Sequence, residues 1–191
     1  MKNLILASKS PGRKQVLDAA NINFKIIVSN YVEDMKLKLK PTDLAVHLSA
    51  GKAREVASRV NNSIVIGADS FVVFKNKVIG KPHTPAKAIK ILNVLSGQVH
   101  EFITGFTIID SDTNKTLSNY VVTKIYFKTL SPRTILDYIK TDNVLEKAGG
   151  YSIQGNGYKL VEKIEGNADN LMGLPLANIA EALKEFNYKL V

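Results

Sequence analysis

The sequence predicts an α/β fold from its pattern, and its length and composition bound the core. Short apolar runs of strand length alternate with stretches of helical spacing along the whole chain. The chain has 191 residues, 45% of them hydrophobic, enough for one domain or two tightly packed lobes. A chain of that length buries roughly 70% of its unfolded surface, so the core needs no covalent staples. Consistent with this, cysteine is absent, which excludes disulfides, thiolate metal sites and a cysteine nucleophile.

The elements follow in order. Leu4-Ile5-Leu6-Ala7 is an apolar run that predicts a buried strand, stopping at the turn-rich Ser8 to Gly12. Arg13 to Ala20 has helical spacing, with Val16, Leu17 and Ala20 on one face. Phe24 to Val28 reads as a strand. Pro41 precedes the longest helical pattern, Thr42 to Val60. Ile64-Val65-Ile66 predicts a second buried strand that ends at Gly67-Ala68-Asp69-Ser70. Phe71–Phe74 and Val78-Ile79 flank Lys75-Asn76-Lys77 as a hairpin. Thr84 as N-cap and Pro85 at the first helical position open a helix to about Leu95, closed by Ser96-Gly97. Two long strand-like runs, Val99–Asp110 and Thr116–Lys128, form a second hairpin. Ser131-Pro132 starts a helix to about Lys140, four glycines between 149 and 157 mark a loop region, and Leu174-Pro175 precedes a helix ending near Phe186. Tyr188 to Val191 reads as a terminal strand. There is no internal repeat and no low-complexity tract.

The segment Leu4 to Ala7 is too short for the apolar core of a signal peptide, which takes about 7–15 residues. No stretch approaches the roughly 18 apolar residues of a membrane span. The expectation is a soluble, cytoplasmic protein. The net charge of +9 raises the question of a polyanionic partner. Of the 26 basic residues only Arg13, Arg54, Arg59 and Arg133 are arginine, and the lysines are scattered. Base-edge reading and phosphate forks favour arginine, so the pattern reads against nucleic acid. A small phosphorylated substrate needs only a few of these charges.

Common nucleotide and hydrolase signatures are missing: no P-loop, no Gly-x-Gly-x-x-Gly after a strand, no nucleophile elbow. His47, His83 and His100 lack ligand spacing and read as structural or solvated. Ser8-Lys9-Ser10-Pro11-Gly12-Arg13-Lys14 joins a strand to a helix N-terminus. Its two hydroxyls and three cations suit phosphate oxygens, or they are an ordinary helix start with solvated bases. Asp69, placed after an apolar strand, is either a carboxylate for Mg²⁺ or a water proton, or a turn aspartate. Glu33-Asp34 and Gly80-Lys81-Pro82 place an acidic pair and a lysine in loops.

Together these pieces resemble the Maf family of nucleoside triphosphate pyrophosphatases over nearly the whole chain. Ser8-Lys9-Ser10-Pro11-Gly12-Arg13 is similar to the family's Ser-x-Ser-Pro-Arg-Arg, and Gly67-Ala68-Asp69-Ser70 to Gly-Ala-Asp-Thr. Glu33 falls on the glutamate of the loop after the second strand, and Lys52-Ala53 on the lysine of the long helix. Gly80-Lys81-Pro82, Leu95-Ser96-Gly97-Gln98-Val99-His100, Lys147 to Gly155 and Gly173-Leu174-Pro175-Leu176 match four further segments in order. Each motif is weak alone; the ordered set is strong.

The resemblance implies a single Maf-like domain over 1–191: a compact, two-lobed α/β domain with a mixed, twisted β-sheet, flanking helices and a substrate cleft between the lobes. It implies hydrolysis between the α and β phosphates with a divalent cation, Mg²⁺ or Mn²⁺. In that reading Asp69 activates water, Ser8, Arg13, Lys52 and Lys81 hold the triphosphate, and Glu33 and Asp69 serve the metal. Three positions track the base. The dTTP/UTP subgroup carries Arg, Thr and Gln where this chain has Gly12, Ser70 and Gln154. A 7-methyl-GTP subgroup has Trp at the first position and Glu at the third, a poorer match. The resemblance also implies a homodimer. The competing expectations are a non-enzymatic septum-formation regulator and a basic nucleic-acid-binding protein.

Overall fold

A computed structural model describes residues 2–141 and 143–190. The strands are β1 (Asn3–Leu6), β2 (Lys25–Ile26), β3 (Ser63–Phe74), β4 (Lys77–Ile79), β5 (Val99–Asp110), β6 (Thr116–Phe127) and β7 (Val161–Glu165). The helices are α1 (Pro11–Ala19), α2 (Pro41–Ala57), α3 (Pro85–Leu95), α4 (Pro132–Thr141) and α5 (Leu176–Lys184). The seven strands form one open, mixed sheet in the order β2-β1-β3-β5-β6-β7, with β4 on β3. The fold class is α/β, as the alternation of patterns predicts.

Four helices begin at a proline, whose fixed φ and missing N–H suit the first helical position. Thr84 caps α3 by accepting from the Lys87 backbone N–H, and Ser131 Oγ accepts from the Thr134 N–H at 3.1 Å to start α4. Lys75 and Asn76, both at positive φ, form the two-residue turn between β3 and β4, with Phe74 opposite Lys77.

The chain falls into two compact units. The first holds Met1–Ser70, Thr104–Val121 and Met172–Val191; the second holds Phe71–Ile103 and Val122–Leu171. In the first unit β1 runs parallel to β3, Leu4 opposite Ile64 and Leu6 opposite Ile66. Both faces are covered, so the side chains sort by parity. Leu4, Leu6, Ile64, Ile66 and Ala68 join Leu17 of α1 and Ile179 and Leu183 of α5. Ile5, Ala7 and Val65 join Ala53, Val56 and Ala57 of α2. This explains why these strands read as continuous apolar runs rather than as alternating ones.

In the second unit Val72, Leu92, Leu95, Ile125, Phe127 and Ile135 form the core. His100 lies inside it, 2% exposed, its Nε2 2.7 Å from the Tyr151 hydroxyl and its ring edge-on to Phe127 and Tyr151. It lies one residue inside the start of β5 and has a structural place in the core. Burial pushes its pKa down to about 4, so the ring is neutral. The unfolded chain therefore takes up the extra proton between those values. Stability from this group is complete above about pH 6.5 and falls by about 1.4 kcal/mol per pH unit toward about pH 4. Urea unfolding at pH 7 and pH 4.5 measures the slope, and His100→Gln is expected to flatten it.

Three expectations differ from the structure. β3 does not stop at Ile66 but continues to Phe74, where Val72–Phe74 pair with β4 in the hairpin. Val161–Glu165, not read as a strand, pairs antiparallel with β6; its charged edge sequence hides the pattern. Tyr188–Leu190 forms no strand, and Val191 lies outside the described residues.

Candidate active site

The parity of β3 decides where its polar residues point. Asp69 shares the odd face with Val65, toward α2, whereas Ser70 shares the even face with Ile66, toward α1. The parallel pairing with β1 ends at Ile66, and the Ala7 N–H donates to the Ile66 carbonyl. Asp69 thus sits within a strand yet past the carboxyl end of β1, the position where open α/β sheets hold ligands.

On the odd face, α2 lies close over β3. A Cβ at Gly67 would meet the Ser49 carbonyl oxygen at 2.4 Å and the Ala53 nitrogen at 2.7 Å, so only glycine admits the helix there. That approach sets Lys52 over Asp69. The Lys52 ammonium bonds the Asp69 carboxylate and lies 2.7 Å from Glu33 Oε1, which comes from the segment between β2 and α2. One ammonium therefore gathers two carboxylates. The Lys52 and Asp69 side chains are 12% and 11% exposed, so water and salt screen this pair less than a surface bridge.

On the even face, Arg13 is buried in α1. Its Nε donates to the Gly173 carbonyl and its Nη1 to Ser8 Oγ, both at 2.9 Å, while Nη2 donates to Ser70 Oγ at 3.3 Å. Ser70 Oγ lies 2.9 Å from Thr104 Oγ1, and Ser8 Oγ also accepts from the Ser10 N–H. Burial lowers the pKa of the guanidinium, and the Asp69 and Glu33 charges oppose that. Arg13 thus ties β1, β3 and the Gly173 turn together. Gly12, beside it, has Met172 O at 2.9 Å from where a Cβ would stand.

The remaining predicted site residues belong to the second unit. Lys81 Nζ lies 3.3 Å from Glu146 Oε2, and His83 Nδ1 is 3.3 Å from Glu146 Oε1. These two contacts hold Glu146 below the usual carboxylate range. Gln154 is exposed at the start of a 3-10 turn, beside a cavity of about 180 Å³ that Tyr138, Lys147 and Ser152 also line. The structure thus brings Glu33, Lys52 and Asp69 into one cluster and Ser8, Arg13 and Ser70 into another. Sequence reasoning missed Thr104 and Glu146, which have no motif of their own, and gave Gly173 a motif but no part in the site.

Among the described residues no group of three or more His, Asp or Glu side chains forms a ready metal cage. Yet Glu33 and Asp69 converge on a single cation. A pair of hard oxygen donors fits Mg²⁺, which usually takes one or two carboxylates and fills its shell from phosphates and water. No helix among the described residues is long and apolar enough to cross a membrane.

An open mixed sheet with convergent carboxylates, an ammonium and a buried guanidinium past a parallel strand end defines an α/β protein built to hold a charged ligand. Residues 3–186 match the Maf-like protein family, and the chain belongs to it. It is 42% identical to a dTTP/UTP pyrophosphatase of Clostridioides difficile (strain 630), over 96% of this chain and 95% of the relative. It is 42% identical to the dTTP/UTP pyrophosphatase of Alkaliphilus metalliredigens (strain QYMF) over the full length of both. A dTTP/UTP pyrophosphatase of Bacillus cereus (strain ATCC 10987 / NRS 248) is 40% identical over 98% of this chain and 91% of its own length.

Proposed function

We propose that this chain, acting as one Maf-like domain, hydrolyses dTTP and UTP to the nucleoside monophosphate and pyrophosphate. The observation that carries the reading is the Glu33–Lys52–Asp69 cluster past the end of β1, in a chain whose full-length relatives bear that activity in their names. Asp69 accepts the proton of the attacking water, a role that suits a positioned carboxylate. Lys52, Lys81 and Ser8 bind phosphate oxygens. Arg13 fixes the Ser8 and Ser70 hydroxyls and adds its charge from beneath. Glu33 and Asp69 would hold Mg²⁺ or Mn²⁺. That cation would neutralise the charge that builds on the phosphates. Hydrolysis of this kind rests on positioning and charge neutralisation rather than on covalent chemistry, and the residues present supply both.

Ser70 and Gln154 select the pyrimidine, and Gly12 leaves that selection looser than an arginine would. The protein works in the cytoplasm as a homodimer, and its partner is the nucleotide, not a nucleic acid. A nucleotide panel with Mg²⁺ or Mn²⁺, scored for pyrophosphate, tests the reading. Cleavage of dTTP and UTP ahead of purine nucleotides is expected; no cleavage of any nucleotide would refute it.

Gly12→Arg is expected to sharpen the preference for dTTP and UTP. It also forces the Met172 carbonyl to move, and overpacking of that kind costs about 1–3 kcal/mol. A lowered Tm together with a narrower substrate profile is the outcome to look for; an unchanged profile counts against the role of position 12.

A further inference from the structure

Glu33 reaches Lys52 from a 14-residue stretch, 27–40, that contains no helix or strand. Something must hold it there. His47, Gly51, Glu55 and Arg59 recur every four residues along α2 and just past its end, so they lie in one row. Each meets the segment that leads to Glu33. Arg59 Nη2 donates to the Val28 carbonyl at 3.1 Å and also bonds Glu55. Glu55 Oε2 accepts from the Asn30 N–H at 3.0 Å. The Tyr31 ring lies flat on Gly51: a Cβ there would stand 2.3–2.6 Å from three of its ring atoms. The Tyr31 hydroxyl is 3.3 Å from His47 Nε2. Two residues on, Glu33 meets Lys52.

We propose that Tyr31 is a positioning residue: its ring, seated on Gly51, clamps the 28–33 segment to α2 and thereby delivers Glu33 to Lys52 and Asp69. The polar contacts in the row are exposed and individually weak. The ring on the glycine is the part with shape, and it explains a glycine inside a 17-residue helix, where alanine is the better helix former. Neighbouring Val32 is 85% exposed, so the clamp rests on Tyr31 alone among the apolar side chains at this point.

The inference rests on the proposed role of Glu33 at the metal, and the experiment separates the two. Gly51→Ala adds one methyl under the ring. Amide hydrogen exchange over 28–34 is expected to speed up while Tm does not fall. Mn²⁺ bound with a non-hydrolysable α,β-methylene analogue of dTTP, read by electron paramagnetic resonance, is expected to weaken about tenfold, the low end for a group that orients a metal ligand. Tyr31→Ala should reproduce both effects, and Tyr31→Phe, which keeps the ring, should restore most of the affinity. In a Glu33→Gln background, Gly51→Ala should weaken Mn²⁺ binding no further. Unchanged exchange over 28–34 in Gly51→Ala overturns the clamp, as does an undiminished further loss of affinity in the Glu33→Gln background. Faster exchange with wild-type Mn²⁺ affinity in Glu33→Gln upholds the clamp and overturns the metal role given to Glu33.

Discussion

Asp69→Asn is expected to slow pyrophosphate release from dTTP by about 10²–10⁴-fold, the usual contribution of a positioned general base. The substitution keeps the size of the side chain and removes the charge. Lys52 still has Glu33 at 2.7 Å, so the ammonium is not left unpaired and Tm should change little. The loss should fall on kcat, because the phosphate-binding cations remain. Steady-state kinetics of the purified variant with dTTP, alongside a thermal melt, separate this from a folding defect. An activity within a few fold of wild type would show that another group takes the proton.

The second large effect is on stability as well as activity. Arg13→Met removes a guanidinium that serves three acceptors, among them the Gly173 carbonyl. Ser8 and Ser70 keep other partners, the Ser10 N–H and Thr104 Oγ1. An acceptor stranded in the interior costs about 1–3 kcal/mol, and the lost charged bonds add to that. A total of about 2–3 kcal/mol corresponds to a fall in Tm of roughly 5–10 °C for a chain of this size. Arg13→Lys keeps the charge but lacks the planar fork, so it should recover little of either property. Differential scanning calorimetry of the two variants is the check. A Tm equal to wild type in Arg13→Met would mean that Arg13 does not tie β1, β3 and the Gly173 turn together.

Much of the scaffold was legible because its signals are local. Proline at the first helical position fixes the starts of α2, α3 and α4, and the Thr84 cap closes the case for α3. The apolar runs at Leu4 and Ile64 announce buried strands; that the two pair in parallel, Leu4 opposite Ile64, is visible only in the structure. What was not legible depends on neighbours distant in sequence. Gly67-Ala68-Asp69-Ser70 looks like a strand end, yet β3 runs through it to Phe74, beside β5 in the sheet. The consequence is chemical: parity then sends Asp69 toward α2 and Ser70 toward α1.

The site divides in the same way. The residue types came from ordered motifs, but the Lys52–Asp69 bond spans 17 positions and exists only because Gly67 admits α2. The row His47, Gly51, Glu55, Arg59 is visible as spacing, yet nothing in the sequence says what it holds. Gly12 likewise reads as a missing arginine. In the structure it is also a close approach to Met172 O, so an arginine there cannot be added without moving the chain.

The central claim is that Asp69, with Lys52 and Glu33, promotes attack of water that separates the monophosphate from pyrophosphate. Phosphorus-31 NMR of dTTP incubated with Mg²⁺ and either wild type or Asp69→Asn tests it most directly. Wild type is expected to give dTMP and pyrophosphate in equal amounts, and Asp69→Asn almost none over the same time. Appearance of dTDP and orthophosphate, or equal product from both proteins, would contradict it.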